Sequence, residues 1–193
     1  MVRLHVPAQR QDTSTAFCGG ALLDERTVLT GRRGQPWNRS EVVVEAAGGA
    51  LFNVTSIFVH PGFDQLAFES DNDAVLASKA APAVGGAPAN DLALLQLAAP
   101  VAAPATSASL PTAATPLPAG TEVQVAGWGV TDDVGPGDRM QDDLRWARLL
   151  VLPTDSVVDV YADNLLAGGT GGNTCSGDSG CCATPLGQRR WWE

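Results

Sequence analysis

The chain has 193 residues, of which 45% are hydrophobic and 17% charged, and 12 basic against 21 acidic side chains give a net charge of -9. This length allows one or two modest domains with a buried core. The acidic balance argues against nucleic acid and anionic membrane surfaces as partners, because both attract clustered Lys and Arg. No apolar run reaches the roughly 18 residues that cross a bilayer, and residues 1–14 lack the apolar core of an export signal.

Short segments rich in Val and Leu predict an all-β protein. In chain order they cover residues 2–6, 27–30, 41–45, 51–59, 91–97, 122–127 and 144–152, and Gly, Pro, Asn or Asp separates them. Two tracts of Ala, Pro and Gly, at 77–89 and 98–120, are predicted to be loops. The second tract lies near mid-chain, where a linker between two small β halves would fall.

The cysteines do not predict a metal site or a small disulfide scaffold. Cys18, Cys175, Cys181 and Cys182 are few and unevenly spaced, and neither a CxxC nor an HxxxH pattern occurs. Their redox state stays open on spacing alone. We expect no metal and no other cofactor.

The most specific string is NTCSGDSG at residues 173–180. A serine between glycines can sit on a tight turn with its hydroxyl exposed, and the backbone N–H groups of Gly177 and Ser179 can point together as donors to an oxyanion. Taken alone, such a string is more often an ordinary turn. Here three others precede it in order: FCGGAL at 17–22 with VLT at 28–30, NDLALLQL at 90–97, and AGWG at 126–129.

With these strings in this order, the sequence resembles the trypsin/chymotrypsin family of serine endopeptidases over about residues 1–180. The resemblance implies an all-β fold of two Greek-key β-barrels with the active-site cleft between them, the first in residues 1–110 and the second in 111–193. It also implies a secreted protein that acts on proteins or peptides through an acyl-enzyme on Ser179. It does not indicate an oligomeric state.

The resemblance assigns roles to individual residues. Ser179 looks like the nucleophile, Asp91 like the carboxylate that orients the base, and Gly177 with Ser179 like the oxyanion hole. Asn173 matches the base of the primary specificity pocket. Because Asn173 is neutral, the acidic group that selects Arg or Lys substrates is absent.

The catalytic histidine of the family is replaced. After VLT the family continues Ala-Ala-His-Cys, whereas residues 31–34 here read GRRG and place Arg33 at the histidine position. Arginine keeps its proton at any working pH, since its pKa exceeds about 12, and cannot accept the serine proton. The two histidines of the chain, His5 and His60, lie outside the motif, and His60 matches a structural position of the family. We therefore predict an inactive protein.

Further departures concern both ends and the disulfides. The family's Ile-Val-Gly-Gly start, whose ammonium group pairs with the aspartate at the position of Asp178, does not occur. The chain ends soon after GDSG, so the second barrel is expected to be truncated. The family's disulfide partner of Cys18 falls on Gly34, and that of Cys175 would lie beyond the end of the chain.

Two divergent windows leave alternatives open. Residues 31–39 and 181–193 hold three of the five tryptophans and two of the four cysteines, as a frame error would produce. Three hypotheses follow: an active endopeptidase, a non-catalytic homologue that acts as a binding module, or a damaged translation. Two triplets, at 38–40 and 53–55, also fit the N-glycosylation sequon, a pattern that is common by chance.

Overall fold

A computed structural model describes residues 1–6, 16–32, 38–63, 90–102, 107–110, 117–130, 141–153, 165–169 and 183–185. These ranges hold strands and one 3-10 turn, Arg39–Glu41. The strands are β1 Val2–His5, β2 Ala16–Leu22, β3 Thr27–Thr30, β4 Val43–Glu45, β5 Leu51–Val59, β6 Ala93–Leu97, β7 Glu122–Gly127, β8 Arg145–Val151, β9 Ala167–Gly168 and β10 Ala183–Pro185. The all-β expectation is confirmed.

The predicted strands agree closely with those observed. Segments 27–30, 51–59 and 122–127 have the predicted bounds, whereas β4 begins two residues late because Glu41 ends the 3-10 turn. The tract at 98–120 holds no strand or helix where the structure describes it, and the tract at 77–89 lies outside the described residues. Within the described ranges, no helix is long and apolar enough to span a membrane.

Strands β1 to β6 close into an antiparallel barrel with the order β1-β2-β3-β6-β5-β4. Strand β1 pairs with both β2 and β4, and β6 pairs with both β3 and β5, so no strand is left as an open edge. In β6 the buried residues Ala93, Leu95 and Leu97 alternate with more exposed ones, as a strand with one buried face requires. The barrel core contains Val2, Leu4, Cys18, Leu22, Val28, Val42, Val44, Ala46, Val54, Leu95, Leu97 and Val101.

Strand β2 is the barrel strand that the Val and Leu pattern does not indicate. Its sequence, AFCGGAL, is rich in small residues that have low β-propensity. The need for a small residue is evident at Gly20, where an added Cβ would lie 2.7 Å from Val28 Cγ1 and 3.2 Å from Val2 Cγ2. Close packing between the two neighbouring strands therefore outweighs propensity in β2.

The second half of the chain forms a four-stranded sheet with the order β10-β7-β8-β9. Val123 on β7 pairs with Leu149 on β8, and both are buried with Val151 in a separate apolar cluster. The register is continuous from Glu122 opposite Leu150 to Gly127 opposite Arg145. The truncation of a second barrel stays a prediction.

A buried arginine joins the barrel to the second sheet. The Arg3 side chain on β1 lies over the Trp128 ring, with its guanidinium carbon 4.8 Å from the ring centroid, and Arg3 is 9% exposed. The Arg3 guanidinium also donates a hydrogen bond to the backbone carbonyl of Asp142. Apolar side chains surround this junction: Met1, Ala16 and Leu144 pack with Trp128. The two halves are thus held by contacts around Trp128, just beyond the end of β7.

Candidate functional site

Asp91 lies half-buried just before β6, and the chain that follows β3 returns to it. Its Oδ1 accepts a hydrogen bond from the backbone N–H of Arg32 at 2.5 Å. The antiparallel register explains this contact, because Thr30 pairs with Ala93 and continuing the ladder by two residues places residue 32 opposite residue 91. The pairing of β3 with β6 therefore fixes which segment Asp91 faces.

A tight turn positions Asp91 from the other side. Asn90 adopts a φ of 60°, in the left-handed region, and its Nδ2 donates to the carbonyl of Gly62 at 3.1 Å. An added Cβ on Gly62 would lie 2.9 Å from Asn90 Nδ2, so a side chain there would displace the Asn90 amide. The backbone N–H of His60 donates to the carbonyl of Leu92 at 2.9 Å. The turn after β5 and the turn before β6 thus support each other.

Buried side-chain contacts anchor the end of β3. The Thr30 hydroxyl donates to the carbonyl of Gly19 at 2.7 Å, and the Cys18 sulfur lies 3.6 Å from the same hydroxyl oxygen. Thr30 is 2% exposed and Cys18 3% exposed. Cys18 forms no disulfide with any residue that the structure describes. The position that the resemblance assigns to its partner, Gly34, lies outside the described residues.

The side chain of Arg32 points along the turn that follows β5. Its guanidinium carbon lies 5.9 Å from the centroid of the Phe63 ring, which is within the range of a cation-π contact. Arg32 therefore contributes its backbone amide to Asp91 and places a cation beside an aromatic ring. The next residue in the chain is Arg33.

The structure describes both histidines of the chain, and the side chain of each contacts a group other than Asp91. His5 is 2% exposed, and its Nε2 lies 2.7 Å from Glu45 Oε2. His60 is exposed, and its Nδ1 accepts a hydrogen bond from the backbone N–H of Gly62 at 3.1 Å. A neutral imidazole that accepts at Nδ1 carries its proton on Nε2.

Of the predicted site residues, the structure describes Asp91. Arg33, Asn173, Gly177, Asp178 and Ser179 lie outside the described residues. Sequence reasoning missed the Arg32 amide and the Asn90 turn. A backbone amide can donate whatever side chain its residue carries, so the sequence does not indicate this donor. The Asn-Asp pair ahead of an apolar strand, in contrast, was a usable turn signal.

Comparison with known proteins gives a consistent assignment. The family model described as trypsin matches residues 2–188. The complement C1s subcomponent of Sus scrofa is 30% identical over 189 residues, which covers 84% of this chain and 25% of that protein. Trypsin 5G1 of Aedes aegypti is 27% identical and is matched over 86% of this chain and 60% of its own length.

The relatives include much longer proteins. The chain spans 25% of the C1s subcomponent and 10% of the ovochymase of Halocynthia roretzi, to which it is 26% identical. Among solved structures, human heparin binding protein is 25% identical with a TM-score of 0.68, covering 96% of this chain and 74% of that one. The fold, the order of the motifs and the match along nearly the whole sequence agree, and the chain belongs to the trypsin family.

Proposed function

We propose that this chain is a trypsin-family protein that does not hydrolyse peptide bonds, because its cleft lacks a general base. The observation that carries the proposal is the hydrogen bond from the Arg32 amide to Asp91 Oδ1. It supports Asp91 as the orienting carboxylate, and it supports Arg33, the next residue, as the occupant of the position where an imidazole would be needed.

The chemistry explains why this substitution abolishes turnover. Attack by the Ser179 hydroxyl on a peptide carbonyl requires that its proton move to a neighbouring base as the C–O bond forms. A guanidinium is already protonated and holds its proton. Loss of the histidine in a protease of unrelated fold costs about 10⁶ in kcat, equivalent to about 8 kcal/mol of barrier. The contacts of His5 with Glu45 and of His60 with Gly62 support a site without a histidine base.

What remains is a cleft suited to binding rather than cutting. We propose that it takes an extended segment of a protein or peptide, as substrates of the family do, and that the Arg33 guanidinium neutralises Asp91. An opposite charge within about 4–6 Å favours the ionised form of a carboxyl group. On this reading the protein acts outside the cell, as secreted relatives do.

The charge of the chain argues for a protein ligand over a sulfated polysaccharide. One solved neighbour is a protein whose title states that it binds heparin, a polyanion. This chain has a net charge of -9 and a sequence pI near 4.5, so its long-range field repels polyanions.

Cleavage of a peptide library tests the proposal. The full chain and its Ser179→Ala variant are incubated with a mixture of unrelated peptides, and new termini are identified by mass spectrometry. We expect the two proteins to give the same background. Termini produced by the unaltered chain and absent with Ser179→Ala would overturn the proposal. Cooperative unfolding of both proteins serves as the control for folding.

A further inference from the structure

The two sequon triplets of this chain lie side by side on the surface of the barrel. Arg39, in the triplet Asn38-Arg39-Ser40, donates from Nη1 to the carbonyl of Thr55, in the triplet Asn53-Val54-Thr55, at 3.1 Å. Both asparagines are exposed, as are Ser40 and Thr55. Exposure therefore does not distinguish the two sites, and the local backbone has to be compared.

Asn38 has the local geometry of a modification site. It precedes the 3-10 turn with a φ of -85° and a ψ of 137°, and its side-chain oxygen accepts a hydrogen bond from the backbone N–H of Ser40 at 3.3 Å. This turn folds the asparagine amide back toward the residue that carries the sequon hydroxyl. A hydrogen bond to the amide oxygen also draws electron density from Nδ2, which makes its protons easier to remove.

Asn53 lies instead within β5, where the backbone is held on both sides. It pairs with Val43 of β4, and its carbonyl accepts from the N–H of Ala98 at 2.9 Å. Residues two apart on a strand are separated by about 6.6 Å along the backbone, so β5 does not fold the Asn53 amide back toward Thr55 as the turn at Asn38 does. The Thr55 hydroxyl is also engaged, since it donates to the carbonyl of Gln96 at 3.1 Å.

We propose that Asn38 is a site of N-linked glycosylation and is used in preference to Asn53. The proposal rests on the extracellular route proposed above. Asn38 Nδ2 attacks the anomeric carbon of an oligosaccharide carried on a lipid diphosphate, and a new N–C bond forms. The C–O bond to the diphosphate breaks, the lipid diphosphate leaves with the electron pair, and a base on the transferase takes the proton from Nδ2.

The surface beside Asn38 can accommodate the first sugar. A groove of about 410 Å³ runs between the two triplets, and its polar lining includes Arg39, Ser40, Asn53 and Thr55. Amide, hydroxyl and guanidinium groups are the hydrogen-bonding partners that sugar hydroxyls require.

To test this proposal, the full chain is fused to a cleavable signal and exported through a eukaryotic secretory pathway. The glycan is detected by the mass of the secreted chain before and after treatment with a peptide N-glycosidase. Four variants are compared with the unaltered chain: Asn38→Asp, Ser40→Ala, Ser40→Thr and Asn53→Asp. Asn38→Asp keeps an oxygen that can accept from the Ser40 amide, so the turn is retained while the nucleophilic nitrogen is lost.

We expect one glycan on the unaltered chain, loss of it in Asn38→Asp and Ser40→Ala, and retention in Ser40→Thr and Asn53→Asp. A secreted chain that carries no glycan, or one whose number of glycans is unchanged by Asn38→Asp, would overturn the proposal. Two glycans, of which Asn38→Asp removes one, would uphold the site and overturn its preference over Asn53. These outcomes do not depend on whether the cleft hydrolyses peptides.

Discussion

The amide of Arg32 holds the Asp91 carboxylate, and this contact is independent of the side chain at position 32. A carboxylate oxygen that accepts a backbone N–H is held in place whatever base lies nearby. The chain can therefore keep an oriented carboxylate after losing its histidine. The sequence predicted Asp91 from the NDLALLQL string, but the amide donor could not be predicted because every residue except proline carries one.

Asn90 should be the most sensitive residue of the turn that presents Asp91. Asn90→Ala puts a residue that disfavours the left-handed region at a φ of 60°, at a cost of about 1–2 kcal/mol, and removes the bond to the Gly62 carbonyl, at about 0.5–1.5 kcal/mol. Asn90→Gly loses the bond but tolerates the backbone, so we expect it to be the more stable variant. Urea unfolding measures both, and equal stability of the two variants would contradict the account.

At the scale of elements, the turn between β2 and β3 is held by a charged cap. The backbone N–H groups of Arg26 and Thr27 donate to Asp24 Oδ1 at 2.7 Å and 2.8 Å. The bond from the Arg26 amide, followed by that from the Thr27 side chain, lowers the pKa of Asp24 below its usual value of 3.8. A carboxyl whose pKa is lower in the folded state stabilises the fold above its unfolded pKa and loses that contribution as the pH falls through its folded pKa.

The charge on Asp24 should therefore stabilise the fold at neutral pH and lose this effect in acid. Asn at this position keeps an oxygen that accepts both amides, so Asp24→Asn isolates the charge. We expect the variant to melt below the unaltered chain at pH 7, and the gap to close as the pH falls from about 4 toward 2. Thermal unfolding across this range is the measurement. A gap that stays constant or widens in acid would show that the charge is not responsible.

Strands were predictable where apolar residues alternate and unpredictable where close packing selects small residues. Strand β5 has the predicted bounds because its Val, Ile and Phe residues mark it clearly. Strand β2 was missed because Gly20 has to leave room for Val28 and Val2, which is a property of the closed barrel. Tertiary packing of this kind has no local signature in the sequence.

At the scale of the whole molecule, Arg3 should contribute strongly to the stability of the contact between the barrel and the second sheet. Its cation-π contact with Trp128 is buried, and its hydrogen bond to the Asp142 carbonyl is partly buried. Contacts of these kinds are worth up to about 2 kcal/mol and about 1.5–3 kcal/mol, respectively. We expect Arg3→Ala to lower the free energy of unfolding by about 2–4 kcal/mol in urea denaturation.

A matched control for Arg3 is available on β8. Arg148 also lies over a tryptophan, with its guanidinium carbon 5.9 Å from the Trp146 ring centroid, but both side chains are exposed. Arg148→Ala should cost at most about 1 kcal/mol because water screens an exposed contact. An equal loss of unfolding free energy in Arg3→Ala and Arg148→Ala would contradict a stabilising role for Arg3 at the junction.

The division of domains at residue 110 stays a prediction.

The central claim is that Ser179 has no base, and its reactivity toward a fluorophosphonate probe tests this most directly. Such a probe phosphonylates an activated serine hydroxyl: an O–P bond forms, fluoride leaves, and the hydroxyl proton passes to the base, so labelling reports proton removal without the need for a good substrate. The unaltered chain and Ser179→Ala are compared over minutes by intact mass. We predict that the unaltered chain gains no more mass than Ser179→Ala, whereas stoichiometric modification of Ser179 within minutes would contradict the account.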